Sequence, residues 1–231
     1  MWNGKQKAVT FSYDDGVTQD IRLIEMFDKY GLKGTFNLNS GVLGRVDTVR
    51  RPGGEFRHTV KEEDVKHIYE NHEVAVHTVT HPHITELSDE ELLHQVADDQ
   101  KKLSELCGYD VVGMAYPGAK PHNHNDYVVE FIRKNTTIKY ARTVTITHSF
   151  DLQDDLLEFN PTAYHTDFDK TFELAHKFIE LKTDSPKLFY VMGHSYELDI
   201  YNAWDKMEEL CRLLSGHKDI FYGTNREILL P

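Results

Sequence analysis

Two hydrophobic periods alternate along the chain. Short apolar or β-branched runs such as Ala8-Val9-Thr10-Phe11, Gly34 to Leu38, Glu73 to Val76, Val111 to Tyr116, Tyr140 to Ile146, Lys187 to Met192 and Asp219 to Tyr222 read as strands. Between them lie segments whose apolar positions recur at helical spacing: Asp20 to Tyr30 before Gly31, Asp126 to Asn135, Thr171 to Lys182 and Ala203 to Leu214. Thr59 with Glu62, and Ser88 with Glu91, have capping-box spacing and predict helices over Val60 to Glu70 and Asp89 to Cys107. Such alternation predicts βα units feeding a parallel sheet. No linker, repeat or low-complexity stretch divides residues 1–231, so one domain is expected. The segment from Gly41 to Arg57 is rich in glycine, proline and arginine and reads as a loop near the active face.

Chemistry-bearing residues collect just past the strand ends. The first strand runs into Asp14, Asp15 and Gly16; the third into His77 and His81; later runs end at Tyr116-Pro117 and at His194. Strand C-termini of a parallel α/β fold converge on one face, so these positions become neighbours. Pro82 disfavours helical geometry at His81, which puts the histidine pair on a strand-to-loop bend. Each motif alone has a plainer reading, an Asp-Gly turn or two of the 14 histidines serving as surface or core residues. Together, Asp15, His77 and His81 make a carboxylate and two imidazoles that suit zinc and leave coordination positions open, the pattern of a catalytic site. Cobalt, nickel, manganese and iron accept the same donors. A cation there lowers the pKa of bound water and polarises a carbonyl. Asp14 then suits the base and His194 the acid, while the backbone N–H of Tyr116 could complete an oxyanion hole with the metal.

Composition narrows the classes. With 26 basic against 38 acidic side chains, the net charge of −12 argues against nucleic acid and anionic membrane partners. Cys107 and Cys211 are too few for a disulfide scaffold and read as small buried hydrophobes. Met1 to Lys7 contains no apolar signal-like core and no later run would span a bilayer, so a cytoplasmic location is expected unless a leader has been removed.

In this order, the residues resemble the polysaccharide deacetylase family, or NodB-homology domain, of the carbohydrate esterases. The family's Thr-Phe-Asp-Asp-Gly motif is matched loosely by Phe11-Ser12-Tyr13-Asp14-Asp15-Gly16, and its His-Ser/Thr-x-x-His motif by His77-Thr78-Val79-Thr80-His81. The resemblance implies a distorted (β/α) barrel of about seven parallel strands with surrounding helices. It implies Asp14 as base, Asp15, His77 and His81 as ligands of one divalent metal ion, most often zinc, and His194 as acid. The activity implied is removal of acetyl groups from N-acetylated sugars. Met114-Ala115-Tyr116-Pro117-Gly118 carries Ala115 where the third motif has the arginine that holds the base; Arg142, at the next strand end, is the substitute expected. The Asp and Trp wall of the fourth motif is not recognisable around Trp2 or Trp204, and Pro161 to His165 is expected to line the substrate pocket instead. Two other readings stand beside this one. One is hydrolysis of a small cyclic amide or ureide on the same fold; the other is a non-catalytic glycan-binding module, which the presence of both Asp14 and His194 disfavours.

Overall fold

A computed structural model describes residues 1–46 and 58–231. Its elements alternate as follows: β1 (Lys7–Asp14), α1 (Asp20–Tyr30), β2 (Gly34–Leu38), α2 (Val65–Ile68), β3 (Glu73–Val76), α3 (Asp89–Leu93) and α4 (Asp99–Cys107), β4 (Gly113–Ala115), α5 (Asp126–Asn135), β5 (Tyr140–Arg142), β6 (Ala163–Tyr164), α6 (Phe168–Glu180), β7 (Lys187–Gly193), α7 (Tyr196–Ile200), α8 (Trp204–Leu214), β8 (Ile220–Tyr222) and α9 (Asn225–Leu229). A π-helical turn at His94–Asp98 joins α3 to α4, so the long helix predicted from Asp89 to Cys107 is continuous. No helix among the described residues is long and apolar enough to cross a membrane.

Seven strands lie in the order β5-β4-β3-β2-β1-β7-β6, every pairing parallel. Both edges of β1 are occupied. Residues Lys7 to Tyr13 pair with β7; on the other edge Phe11 to Asp14 pair with β2, and Lys7 to Val9 with the eighth strand, β8. The sheet curls toward closure because one segment touches both ends: Phe159 bridges Arg142 on β5, and Thr162 N–H donates to the Tyr190 carbonyl on β7 at 2.8 Å.

Strand periodicity then sorts the side chains of β1. Val9, Phe11 and Tyr13 join the helix-side core, where the Phe11 and Phe27 ring centroids are 4.6 Å apart. Ala8, Thr10, Ser12 and Asp14 face the barrel interior. That interior is graded. At its floor Trp2, Ala8, Tyr140, Phe159, Tyr190 and Ile228 pack together. Above and beside them, Asn225 links the Thr10 and Tyr190 hydroxyls, while Glu73 accepts from Tyr140 and, at 2.8 Å, from Thr35. Burial pushes the Glu73 carboxyl up, against those hydrogen bonds. Ser12, Asn37 and Arg142 form the next layer, directly beneath Asp14.

Two elements differ from expectation. Thr59 caps no helix: its hydroxyl donates to the Val42 carbonyl and accepts from Arg45 N–H, its backbone bridges Val17, and the following helix is a 3-10 turn, Glu62–Asp64, leading into α2. The strand predicted over Tyr140 to Ile146 ends at Arg142, because the Thr143 hydroxyl captures the Thr145 N–H and turns the chain. Of the loop from Gly41 to Arg57, residues 47–57 lie outside the described residues; its first part includes Val42 and Arg45, which border the main cavity.

Tyr140 leaves no room at Gly113. A Cβ there would collide with the ring and hydroxyl that bond to Glu73. Gly113→Ala is therefore expected to destabilise the protein by about 1–3 kcal/mol, seen as a lower urea midpoint. An unchanged midpoint would refute the close packing of this floor.

Candidate active site

At the C-terminal ends of β1, β3, β6 and β7 the barrel opens into a cavity of about 630 Å³ bordered by Asp14, Asp15, His77, His81, Tyr164 and His194. Its backbone is unusual. Asp15, Thr78 and His81 all have positive φ, at 81°, 69° and 60°, a region costly for side chains bearing Cβ and most of all for a β-branched one. Hydrogen bonds hold these turns in place. Asp15 N–H donates to the Asn37 carbonyl at 3.0 Å, and His81 N–H to the Thr78 hydroxyl at 3.1 Å. Asn39 binds the carbonyls of both His77 and Thr78.

Asp15 Oδ1 lies 3.7 Å from Nε2 of both His77 and His81, so three donors face a common point. His77 is held from two sides. Its Nδ1 contacts the Ala115 carbonyl at 2.9 Å, and its backbone N–H reaches Asp99 Oδ2 at 3.1 Å. The carbonyl fixes the proton on Nδ1 and leaves Nε2 with its lone pair. That Nε2 is buried and has no hydrogen-bond partner. Burial also lowers the His77 pKa to about 4, outweighing the neighbouring carboxylates, and keeps the imidazole neutral. A neutral, orphaned, buried nitrogen aimed at a carboxylate and a second imidazole fits a divalent cation.

Asp14 has different company. Arg142 Nη2 contacts both carboxylate oxygens at 2.5 Å, and Asn37 Nδ2 donates to Oδ1 at 2.8 Å. Arg142 itself is fully buried, with Nε on the Ser12 hydroxyl at 3.1 Å. Burial alone would raise the Asp14 pKa, yet Arg142, His77 and His194 together bring it down to about 2. Arg142 thus reaches Asp14 from β5, the strand beside the one that carries Ala115.

His194 Nε2 sits 3.9 Å from Asp14 Oδ2. On its far side, Nδ1 lies 2.9 Å from the Tyr164 hydroxyl and 3.3 Å from Glu197 Oε2. Tyr164 donates to the same carboxylate at 2.7 Å, as does His165 Nε2 at 3.0 Å. Burial pulls the His194 pKa down, but the hydrogen bond to Glu197 and the charges of Asp15 and Asp14 overcome it and lift it to about 8. Glu197 was missed in the sequence although it follows His194 by three residues, the spacing at which helical side chains meet. Asn37 and Asp99 gave no signal either, since each acts through a backbone or a buried partner.

Two expected roles are corrected. The Tyr116 N–H is not available as an oxyanion donor: it completes the β4–β5 ladder by donating to the Arg142 carbonyl at 3.0 Å, and its buried hydroxyl donates to Leu157 O at 2.8 Å. His165 does not line the cavity. It is fully buried behind Tyr164, between Glu197 and the Tyr13 hydroxyl, and its ring occupies the space a Cβ at Gly193 would need. Trp204 donates to Asp199 at 2.6 Å, an Asp and Trp pair after all, but neither residue borders the cavity.

Comparison with known proteins shows the family and the fold. The family model described as polysaccharide deacetylase matches residues 2–140. The chain belongs to the polysaccharide deacetylase family. Solved structures share the fold. A family 4 carbohydrate esterase from Streptomyces lividans, in complex with acetate, aligns with a TM-score of 0.57 at 14% identity, covering 95% of this chain and 93% of that one. The peptidoglycan deacetylase PdaC of Bacillus subtilis aligns at 0.56 and 16% identity, covering 97% and 91%. A family 4 pseudoenzyme from Bacillus anthracis aligns at 0.57 and 18%, covering 97% and 66%. No curated protein sequence gives a significant match.

Removing one partner of the Arg142 and Asp14 pair leaves a buried charge uncompensated. Arg142→Met is expected to cost about 3–5 kcal/mol at pH 7, by urea denaturation, with a smaller loss in acid, where Asp14 is protonated. Equal loss at both pH values would argue against an ionic role. Because the His194 pKa is raised in the folded protein, its contribution to stability is complete below about 6.5 and lost as the pH rises through about 8. In chelator-treated protein, Glu197→Gln should bring the His194 titration, followed by NMR, back toward 6.5; a titration still near 8 would mean that Glu197 does not set it.

Proposed function

We propose that the protein is a metal-dependent hydrolase that removes acetyl groups from N-acetylated sugars. The observation that carries this reading is the buried, partnerless Nε2 of His77, directed with His81 and Asp15 into the cavity that Asp14 and His194 also border. A divalent cation held by those three residues, zinc being the expected one, would acidify a bound water and polarise the acetyl carbonyl.

The remaining work belongs to the chain. Asp14 Oδ2 faces His77 and His194 across the cavity, 4.0 and 3.9 Å from their Nε2 atoms, and is placed to accept the water's proton. Arg142 and Asn37 keep that carboxylate ionised and fixed in rotation. His194, protonated below about 8, is placed to deliver a proton from Nε2 to the departing amine. Base and acid thus hold the required states together across the neutral range. The Tyr164 and Tyr196 side chains, with Val17 and Met192, give the cavity aromatic and apolar surface suited to the face of a sugar ring.

A peptidoglycan deacetylase shares the fold, which makes polymers of N-acetylated sugars the first substrates to test. A pseudoenzyme shares it too, so activity rests on the residues of this chain rather than on the likeness. Zinc-loaded protein should release acetate from N-acetylglucosamine oligomers, lose that activity on chelation and regain it with zinc. Asp14→Asn should retain zinc while kcat falls by about 10²–10⁴-fold. Full turnover by that variant would remove Asp14 as base, and turnover of cyclic imides without acetate release would replace the substrate class.

A further inference from the structure

Among the described residues, one other group brings metal-type donors together. His83 lies two residues beyond His81, Glu86 closes the 3-10 turn Ile84–Glu86, and His122 belongs to the loop between β4 and α5. The Nδ1 atoms of both histidines approach the same oxygen, Glu86 Oε1, at 3.4 and 2.8 Å. Their rings stack at a 14° interplanar angle with centroids 4.7 Å apart, and the donor atoms lie within 4.8 Å of one another. A tetrahedral cation with bonds of about 2.0–2.2 Å separates its donors by about 3.3–3.6 Å. The 3.4 Å separation matches that spacing and the 2.8 Å one is shorter, so the three exposed side chains must open slightly to admit an ion and its waters.

We propose that His83, Glu86 and His122 form a second, surface site for a borderline divalent transition cation of the zinc class. Two imidazoles select such ions over calcium or magnesium, which take oxygen donors. The placement gives the site a consequence. His122 N–H donates to the Ala119 carbonyl at 3.1 Å, and Gly118 and Ala119 form part of the cavity wall. His83 is tied through Pro82 to His81. A cation on these three residues therefore staples two rim loops that otherwise meet through the Thr85 hydroxyl and the His122 carbonyl, 3.4 Å apart.

The test is a calorimetric titration with Zn²⁺ of chelator-treated parent and variants. The parent should take up a weaker equivalent in addition to that of the candidate active site. His122→Ala and Glu86→Gln, both at exposed positions, should lose the weaker equivalent and keep the tighter one. His81→Ala should do the reverse, so the two sites fail separately. The proposal is overturned if His122→Ala binds as many equivalents as the parent, or if the parent binds only what His81→Ala removes, leaving the trio a plain hydrogen-bonded pair with a stacked neighbour.

Discussion

The ion pair between Arg142 and Asp14 is the constraint around which the barrel is organised. It joins β5 to β1 across the interior, between residues 128 positions apart in the chain. A guanidinium without exposure to water is tolerable only when its donors are matched; here Ser12, the Thr143 carbonyl and Asp14 take them. The graded interior follows. Apolar residues fill the floor, hydroxyls, amides and the Glu73 carboxyl form the middle, and the pair of Arg142 and Asp14 lies at the top, where the cavity admits solvent.

The two sides of the cavity are tuned in opposite directions by the same kind of physics. A fixed cation beneath Asp14 holds its carboxyl at about 2, and a fixed anion behind His194 lifts the imidazole to about 8. Between them the neutral His77 and its neighbours on strained backbone present donors rather than charge. Strain at Asp15, Thr78 and His81 is sustained because Asn37, Asn39 and Asp99, all buried, pin the surrounding carbonyls and N–H groups.

Much of this was legible in the sequence. β2 and α5 have the predicted limits, and Asp14, His77 and His194 stand at or beside strand ends because apolar runs stop abruptly there. Arg142 was named from the family resemblance, as the arginine at the next strand end once Ala115 was seen in the motif. What was not legible has physical reasons. Thr59 has capping spacing, but its hydroxyl is taken by a loop carbonyl distant in sequence. Tyr116 looked like an available donor because the parallel ladder between β4 and β5 cannot be read from either strand alone. His165 has the same polar composition as a pocket residue, and only packing against Gly193 and Tyr13 puts it behind the wall.

The proposed acid and its tuning group lie within one turn of chain, from His194 to Glu197, whereas the proposed base, Asp14, depends on an arginine delivered by a distant strand. These two halves differ in how they can be inherited. The first needs, beyond its own four residues, only Tyr164 and His165 beside it. Asp14, by contrast, keeps its partner only when every strand between β1 and β5 keeps its register, so drift in the barrel would separate Asp14 from Arg142 before it parted His194 from Glu197.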